Sequence, residues 1–280
     1  MIKYAQFTVI ILVLILISCT APVIERNKSG KIIGMSPGIV ETLFFLGAGD
    51  DIIGTSGHCS YPEAAKKIPV VGGISELNYE FVLTAKPDVV FLMPSQDHIA
   101  QKLDKFRIKS VTVPQENLKD ILNSFVVIGI EIGKEKRASV IKDSLELVLN
   151  SYRKPVDRLK VLISVGREYG SRVSYIYSNG RNGFLNDIIT LLGHENVLET
   201  SIPYPKISTE AIMALNPDII LDMVPDMGKN NPSGLLEDWG FFKNTEAWKN
   251  ERIYIICGSH TTVPGPRIFD LIKQLKEKGL

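Results

Sequence analysis

Residues 79–92 read YEFVLTAKPDVVFL, and 130 positions later residues 209–221 read TEAIMALNPDIIL. In each copy a glutamate (Glu80, Glu210) precedes a Pro-Asp pair (Pro87-Asp88, Pro217-Asp218) at the same spacing, and each copy runs directly into an apolar segment. Proline disfavours helical backbone at the residue before it, so the helix must stop there. The β-branched and apolar residues that follow favour an extended strand. Upstream of each copy lies another helical pattern closing on Leu-Gly (Leu46-Gly47, Leu192-Gly193), where glycine supplies the left-handed residue of a helix end. A helix–turn–strand unit that recurs at a fixed offset predicts two α/β lobes of like topology.

Outward from the repeat, strands are expected at 31–35, 52–55, 88–93, 110–113, 159–165, 218–223 and 252–257. Helices are expected at 38–46, 79–85, 98–106, 118–132, 184–192 and 209–215. Continuous apolar strands alternating with helices imply parallel-type sheets covered on both faces. Between the halves, Lys134 to Arg153 lacks breakers and carries apolar residues at Val140, Ile141, Leu145, Val148 and Leu149, with Pro155 just beyond. That stretch reads as one long amphipathic helix. The fold class expected is therefore α/β, with two similar lobes joined by a single long α-helix and a ligand cleft between them. Ligands of open parallel sheets bind beyond the carboxyl ends of the strands, so the cleft loops follow those ends. The boundaries expected are 31–133 for the first lobe, 134–154 for the bridging helix and 155–280 for the second lobe.

Composition narrows the function. Of 280 residues, 32 are Lys or Arg and 31 are Asp or Glu, so no basic surplus exists to neutralise a phosphate backbone, and no nucleic-acid partner is expected. Three cysteines are too few for a disulfide scaffold. The chain has no Gly-x-Ser-x-Gly, His-Glu-x-x-His, Walker or Gly-x-Gly-x-x-Gly motif, which argues against an enzyme and against a resident cofactor.

Residues 1–18 carry one cation (Lys3) and an apolar run from Val9 to Ile17, the length of a signal-peptide core and about half of a membrane span. Leu16-Ile17-Ser18-Cys19 then resembles a bacterial lipobox. The expectation is a signal peptide at 1–18, lipidation of Cys19 and a polar tether over 19–30. The protein would be exported and held by its lipid on a membrane facing the periplasm or the cell exterior.

Several strings together carry a resemblance to a known family. They are IIGMSPGIVETLFFLGAGDDIIG (32–54), CSYPEAAKKIPVVGG (59–73), NYEFVLTAKPDVVFL (78–92), YPKISTEAIMALNPDIIL (204–221) and NERIYIICGSHTTVPGPRIFD (250–270). The chain resembles the substrate-binding proteins of cobalamin, heme and iron-siderophore ABC importers. The resemblance implies two α/β lobes bridged by a long helix, with capture of a corrinoid, ferric siderophore or heme in the cleft. It also implies delivery to a permease dimer powered by a cytoplasmic ATPase.

Glu80 and Glu210 each follow a capping residue (Asn78, Ser208) in the first turn of a helix, where the dipole favours a carboxylate. That position alone accounts for either one. The resemblance implies more, namely that both dock the protein to the permease by salt bridges. For the ligand, the loops beyond the strands offer His58, Tyr61, Met93, Arg167, Tyr169, Tyr204, Ser259 and His260. Tyr61-Pro62 and Tyr204 sit at family positions that meet ligand. Where cobalamin-binding members carry loop tryptophans and a tyrosine, this chain has Ile74, Met93 and His58. Arg267 fits either an acidic ligand group or a buttress for the last helix. His58, Cys59, Cys257 and His260 are residue types that suit a zinc site, axial heme ligation, a disulfide across the cleft, or plain lining. A binding protein that stores or senses its ligand stands as a further alternative, and a metal-dependent enzyme on a related bilobal fold as a remote one.

Overall fold

The computed structural model describes residues 30–152, 158–225 and 234–280. The expected signal peptide, Cys19, nearly all of the tether and the junction around Pro155 lie outside the described residues.

The first lobe is built on strands β1 (Ile32–Gly34), β2 (Ile52–Ser56), β3 (Val70–Gly72), β4 (Val89–Leu92) and β5 (Ser110–Thr112), in the order β3-β2-β1-β4-β5 with every pair parallel. The unbroken apolar run of β4 is required because both faces are covered. Val89 and Phe91 point into one core with Ile39, Val40 and Leu43, and Val90 and Leu92 into another with Ile99 and Leu103. Helices α1 (Pro37–Phe45), α2 (Tyr79–Ala85) and α3 (Asp97–Lys105) supply those covers.

Helix α4 (Leu118–Glu131) is followed at once by α5 (Glu135–Tyr152), the expected long connector. The two pack as a pair. Gly129 makes their close approach possible, since a Cβ there would strike that of Ala138. Both serve both lobes: Phe125, Ile128 and Ala138 belong to the first lobe's core, whereas Ile121, Leu122 and Leu149 belong to the second's. The connection is therefore a helical pair embedded in both hydrophobic cores.

The second lobe contains β6 (Lys160–Gly166), β7 (Tyr175–Ser178), α6 (Phe184–Leu191), β8 (Glu195–Asn196), β9 (Lys206–Ser208), α7 (Thr209–Leu215), β10 (Ile219–Val224), α8 (Glu246–Lys249), β11 (Ile253–Cys257) and α9 (Ile268–Glu277). Strands β6, β10 and β11 are parallel, and β8 adds a short parallel bridge to β6. Beyond them β7 runs antiparallel to both β6 and β9, so this sheet is mixed at one side. Strands β3, β7, β8 and β9 are not among those expected, and β7 alternates between partly exposed and buried positions.

The sequence repeat is an atomic repeat. Asn78 and Ser208 cap α2 and α7 by accepting from Phe81 N and Ala211 N. Lys86 and Asn216 end the helices in left-handed conformations. Asp88 and Asp218 then accept, through Oδ2, from the backbone N–H groups of Lys31 (2.8 Å) and Lys160 (2.9 Å). The Pro-Asp pair thus ties each helix–strand unit to the first strand of its lobe. Gly47 and Gly193 occupy the left-handed region at the expected helix ends.

Candidate functional site

Most of the expected ligand residues follow the carboxyl ends of strands (β2, β4, β6 and β11), whereas Tyr204 precedes β9 and Arg267 precedes α9. On the first lobe, the loop after β2 carries exposed His58, in a left-handed conformation, and Tyr61, about half exposed (48%). Met93 is half-buried against the first lobe's core, and its N–H is held by Gln96 Oε1.

On the second lobe, Val165, Gly166, Tyr177, Phe184, Leu185, Tyr204 and Thr262 line an open hollow of about 360 Å³. Tyr204 was expected. Tyr177 and Phe184 were not, because Tyr177 reaches the hollow only through the antiparallel placement of β7, and Phe184 only through the docking of α6 on the interlobe segment. Phe184 N donates to Glu116 O (2.8 Å), and Asp187 Oδ2 accepts from Leu118 N (2.9 Å), which anchors the helix start. Tyr204 is mostly exposed, yet its phenol sits above its ordinary value, through partial dehydration first and then through the Glu116 carboxylate.

Arg167 requires a correction. The sequence placed it in the cleft, but its side chain has no exposed surface. Nε donates to Asp222 Oδ2 (2.8 Å), Nη1 to Asp238 Oδ2 (2.6 Å) and Nη2 to the Leu235 carbonyl (3.2 Å). Trp239 Nε1 also donates to Asp222 Oδ2 and Gly170 N to Asp238 Oδ2, while Asp222 Oδ1 is buried without a hydrogen-bond partner among the described residues. Arg167 thus pins the segment at 234–242 to β10. Tyr169, half-buried, stacks within reach of this guanidinium (4.8 Å), and its phenol is pushed up by burial and then by Asp222.

Arg267 is likewise engaged internally. Its Nε and Nη2 donate to Oε2 and Oε1 of Glu41 on the other lobe (3.0 and 2.5 Å), Nη1 donates to Ser259 Oγ (2.9 Å), and the guanidinium lies 4.2 Å from the Tyr61 ring centre. Of the two alternatives for Arg267, the structure places it as a buttress, but between the lobes and not within the last helix.

The four His and Cys residues are not brought together as a metal site. Among the described residues, no group of three or more His, Cys, Asp or Glu side chains is arranged to hold a metal ion. His260 Nε2 lies 3.1 Å from Gln274 Oε1. Cys59 is a free, buried thiol 3.5 Å from Ser56 Oγ, and burial raises its pKa. Cys257 is also free and half-buried, raised by burial and then by the Asp222 charge. The sulfurs therefore do not bridge the cleft.

Glu80 and Glu210 are both exposed in the first turns of the matched helices α2 and α7. Each helix precedes a parallel strand, so its N-terminus lies at the carboxyl edge of its sheet. Hydrogen bonds from its own N–H and from Ser208, with Arg172 adding attraction, hold the Glu210 carboxyl below its ordinary value.

Residues 32–258 match the sequence model of the family described as periplasmic binding protein, which is most of the chain. The chain belongs to the periplasmic binding protein family. Members are binding components of transport and not enzymes. This periplasmic binding protein serves as the substrate-binding component of an ABC importer. It is 26% identical to the uncharacterized ABC transporter substrate-binding lipoprotein YvrC of Bacillus subtilis (strain 168), over 90% of this chain and 80% of that one. It is also 26% identical to the Vitamin B12-binding protein of Vibrio vulnificus (strain YJ016), over 95% and 94% of the two chains. Among solved structures it superposes on the periplasmic heme binding protein HutB of Vibrio cholerae with a TM-score of 0.75 at 20% identity, covering 89% of this chain and 98% of that one. Among the described residues of this periplasmic binding protein, no helix is long and apolar enough to cross a membrane.

Proposed function

We propose that this protein captures a cobalamin-like corrinoid between its lobes and delivers it to a membrane permease. The observation that carries the reading is the character of the cleft. Its exposed rings are Tyr61, Tyr177 and Tyr204, backed by buried Phe184, while Arg167 and Arg267 are neutralised from within by Asp222, Asp238 and Glu41. Such walls suit a large ring system with an uncharged, amide-rich periphery, because aromatic faces bury apolar area while phenol groups hydrogen-bond amides. Vitamin B12-binding relatives that align along nearly the whole chain support the same choice. The 360 Å³ hollow holds part of such a ligand, and the remainder lies against the first-lobe loop bearing Tyr61.

Heme is the second reading, favoured by the exposed imidazole of His58, a residue type that ligates iron. In either case Glu80 and Glu210 dock the loaded protein. Two exposed carboxylates at equivalent places on two lobes fix register against two permease cations and speed encounter more than they add affinity. Cys19 carries the lipid that holds the protein at the membrane face.

The test is a thermal-unfolding panel on residues 20–280 with cyanocobalamin, cobinamide, hemin, ferric siderophores and Zn(II). A ligand at 100 times its Kd adds about 2.7 kcal/mol, which raises the midpoint by roughly 5–10 °C for a chain of this size. A shift with corrinoids supports the proposal. A shift with hemin alone, with a Soret change lost in His58→Ala, replaces it by the heme reading. Glu80→Lys with Glu210→Lys should abolish uptake in cells while leaving ligand affinity unchanged. Retained uptake would refute the docking role.

A further inference from the structure

We propose that Glu41 and Arg267 form a strut between the lobes whose purpose is to position Tyr61 against the ligand, an inference that rests on the cleft being the binding site. The strut joins residues 226 positions apart. Glu41 is buried in the middle of α1, and Arg267 occupies the residue preceding α9. Their side chains are 3% and 11% exposed, so the pair is nearly dry. Removing both charges from water is costly, and a buried pair of this kind adds little net stability compared with an apolar contact. Its value lies in geometry. The planar guanidinium matches both carboxylate oxygens at once, a fit that a lysine ammonium cannot reproduce.

The backbone around the strut is equally constrained. A Cβ on Gly38 would run into the Pro264 carbonyl, and one on Gly265 would crowd the Gly38 backbone. The two glycines therefore let the lobes touch at the place where the ion pair crosses. With its edge fixed by Glu41 and Ser259, the guanidinium offers its plane to the Tyr61 ring at 4.2 Å. Tyr61 nonetheless keeps about half of its surface exposed (48%). A side chain on the second lobe thus sets the pose of a ligand-facing ring on the first. Arg267 acts through Tyr61 and is a positioning residue; Glu41 orients Arg267.

The experiment compares wild type, Arg267→Lys, Tyr61→Leu and the double variant, each checked for an intact thermal transition. Binding of cyanocobalamin and of hemin is measured by fluorescence quenching. Arg267→Lys and Tyr61→Leu should each weaken the bound probe by a similar factor, on the order of tenfold. The double variant should be no weaker than Tyr61→Leu alone, because both remove the same interaction. Multiplicative losses, or full affinity in Arg267→Lys, would overturn the proposal. Hydrogen exchange on the ligand-free proteins gives a readout independent of the probe. Arg267→Lys should accelerate exchange at the amides of residues 57–61, across the lobe boundary, and unchanged protection there also overturns the strut. If wild type binds neither probe, the ligand reading fails, and the exchange result still decides the strut.

Discussion

Replacing Arg167 by methionine tests whether this residue belongs to the core or to the ligand. The substitution leaves the carboxylates of Asp222 and Asp238 inside the second lobe without their cation. Asp222 would retain one donor, Trp239 Nε1 at 3.0 Å, and Asp238 one, Gly170 N at 3.1 Å. Breaking a buried ion pair from one side costs about 3–5 kcal/mol, because the stranded charge has lost both water and partner. At about 2–4 °C per kcal/mol for a chain of this length, the midpoint should fall by roughly 6–20 °C. Circular dichroism melts at neutral pH provide the measurement. The same logic demands a rescue: adding Asp222→Asn and Asp238→Asn removes the stranded charges, and the triple variant should melt well above Arg167→Met. An Arg167→Met protein that melts within about 2 °C of wild type but binds ligand poorly would refute the reasoning and return Arg167 to the cleft.

Gly38→Val should cost about 1–3 kcal/mol, seen as a lowered urea midpoint, since its side chain must displace the Pro264 carbonyl at the lobe junction. A neutral result would mean that the lobes part there freely. With residues 20–280 as the sample, a chromogenic disulfide reagent at pH 8 should modify Cys257 slowly and Cys59 only after unfolding, because burial raises both thiols and Cys59 is the more enclosed. Rapid modification of both would contradict the packing. Burial outweighs the Arg267 contact and, with Asp270 adding to it and His260 opposing it, lifts the Glu41 carboxyl above its ordinary 4.5. A raised carboxyl holds its proton more tightly in the folded state, so its contribution is fully present below pH 4.5 and is lost as pH rises through the raised value. The stability of wild type relative to Glu41→Gln should therefore decline from pH 4.5 upward, and a difference that grows with pH would reverse the assignment.

The features legible in the sequence were those written in neighbouring residues. The Glu-to-Pro-Asp repeat carries its own cap, helix stop and strand, and Asp88 and Asp218 need only the first strand of their own lobe to be satisfied. The loops beyond the strands were placed for the same reason. What those loops do was not legible, because it depends on partners supplied by the fold. Arg167 meets Asp222 and Asp238 at separations of 55 and 71 residues, and Arg267 meets Glu41 across 226. No local pattern tells an arginine awaiting an acidic ligand from one already paired. Tyr177 was missed on similar grounds, since only an antiparallel strand invisible to helix–strand alternation brings it to the hollow. These pairings reverse the naive inference from charge. Arginines near a cleft suggest an anionic ligand, yet Arg167 and Arg267 are both spent on holding the scaffold. A bulky ligand whose own periphery carries little net charge is proposed on the strength of that arrangement, in which internal charge fixes the scaffold and the rings of Tyr61, Tyr177 and Tyr204 stay open to solvent.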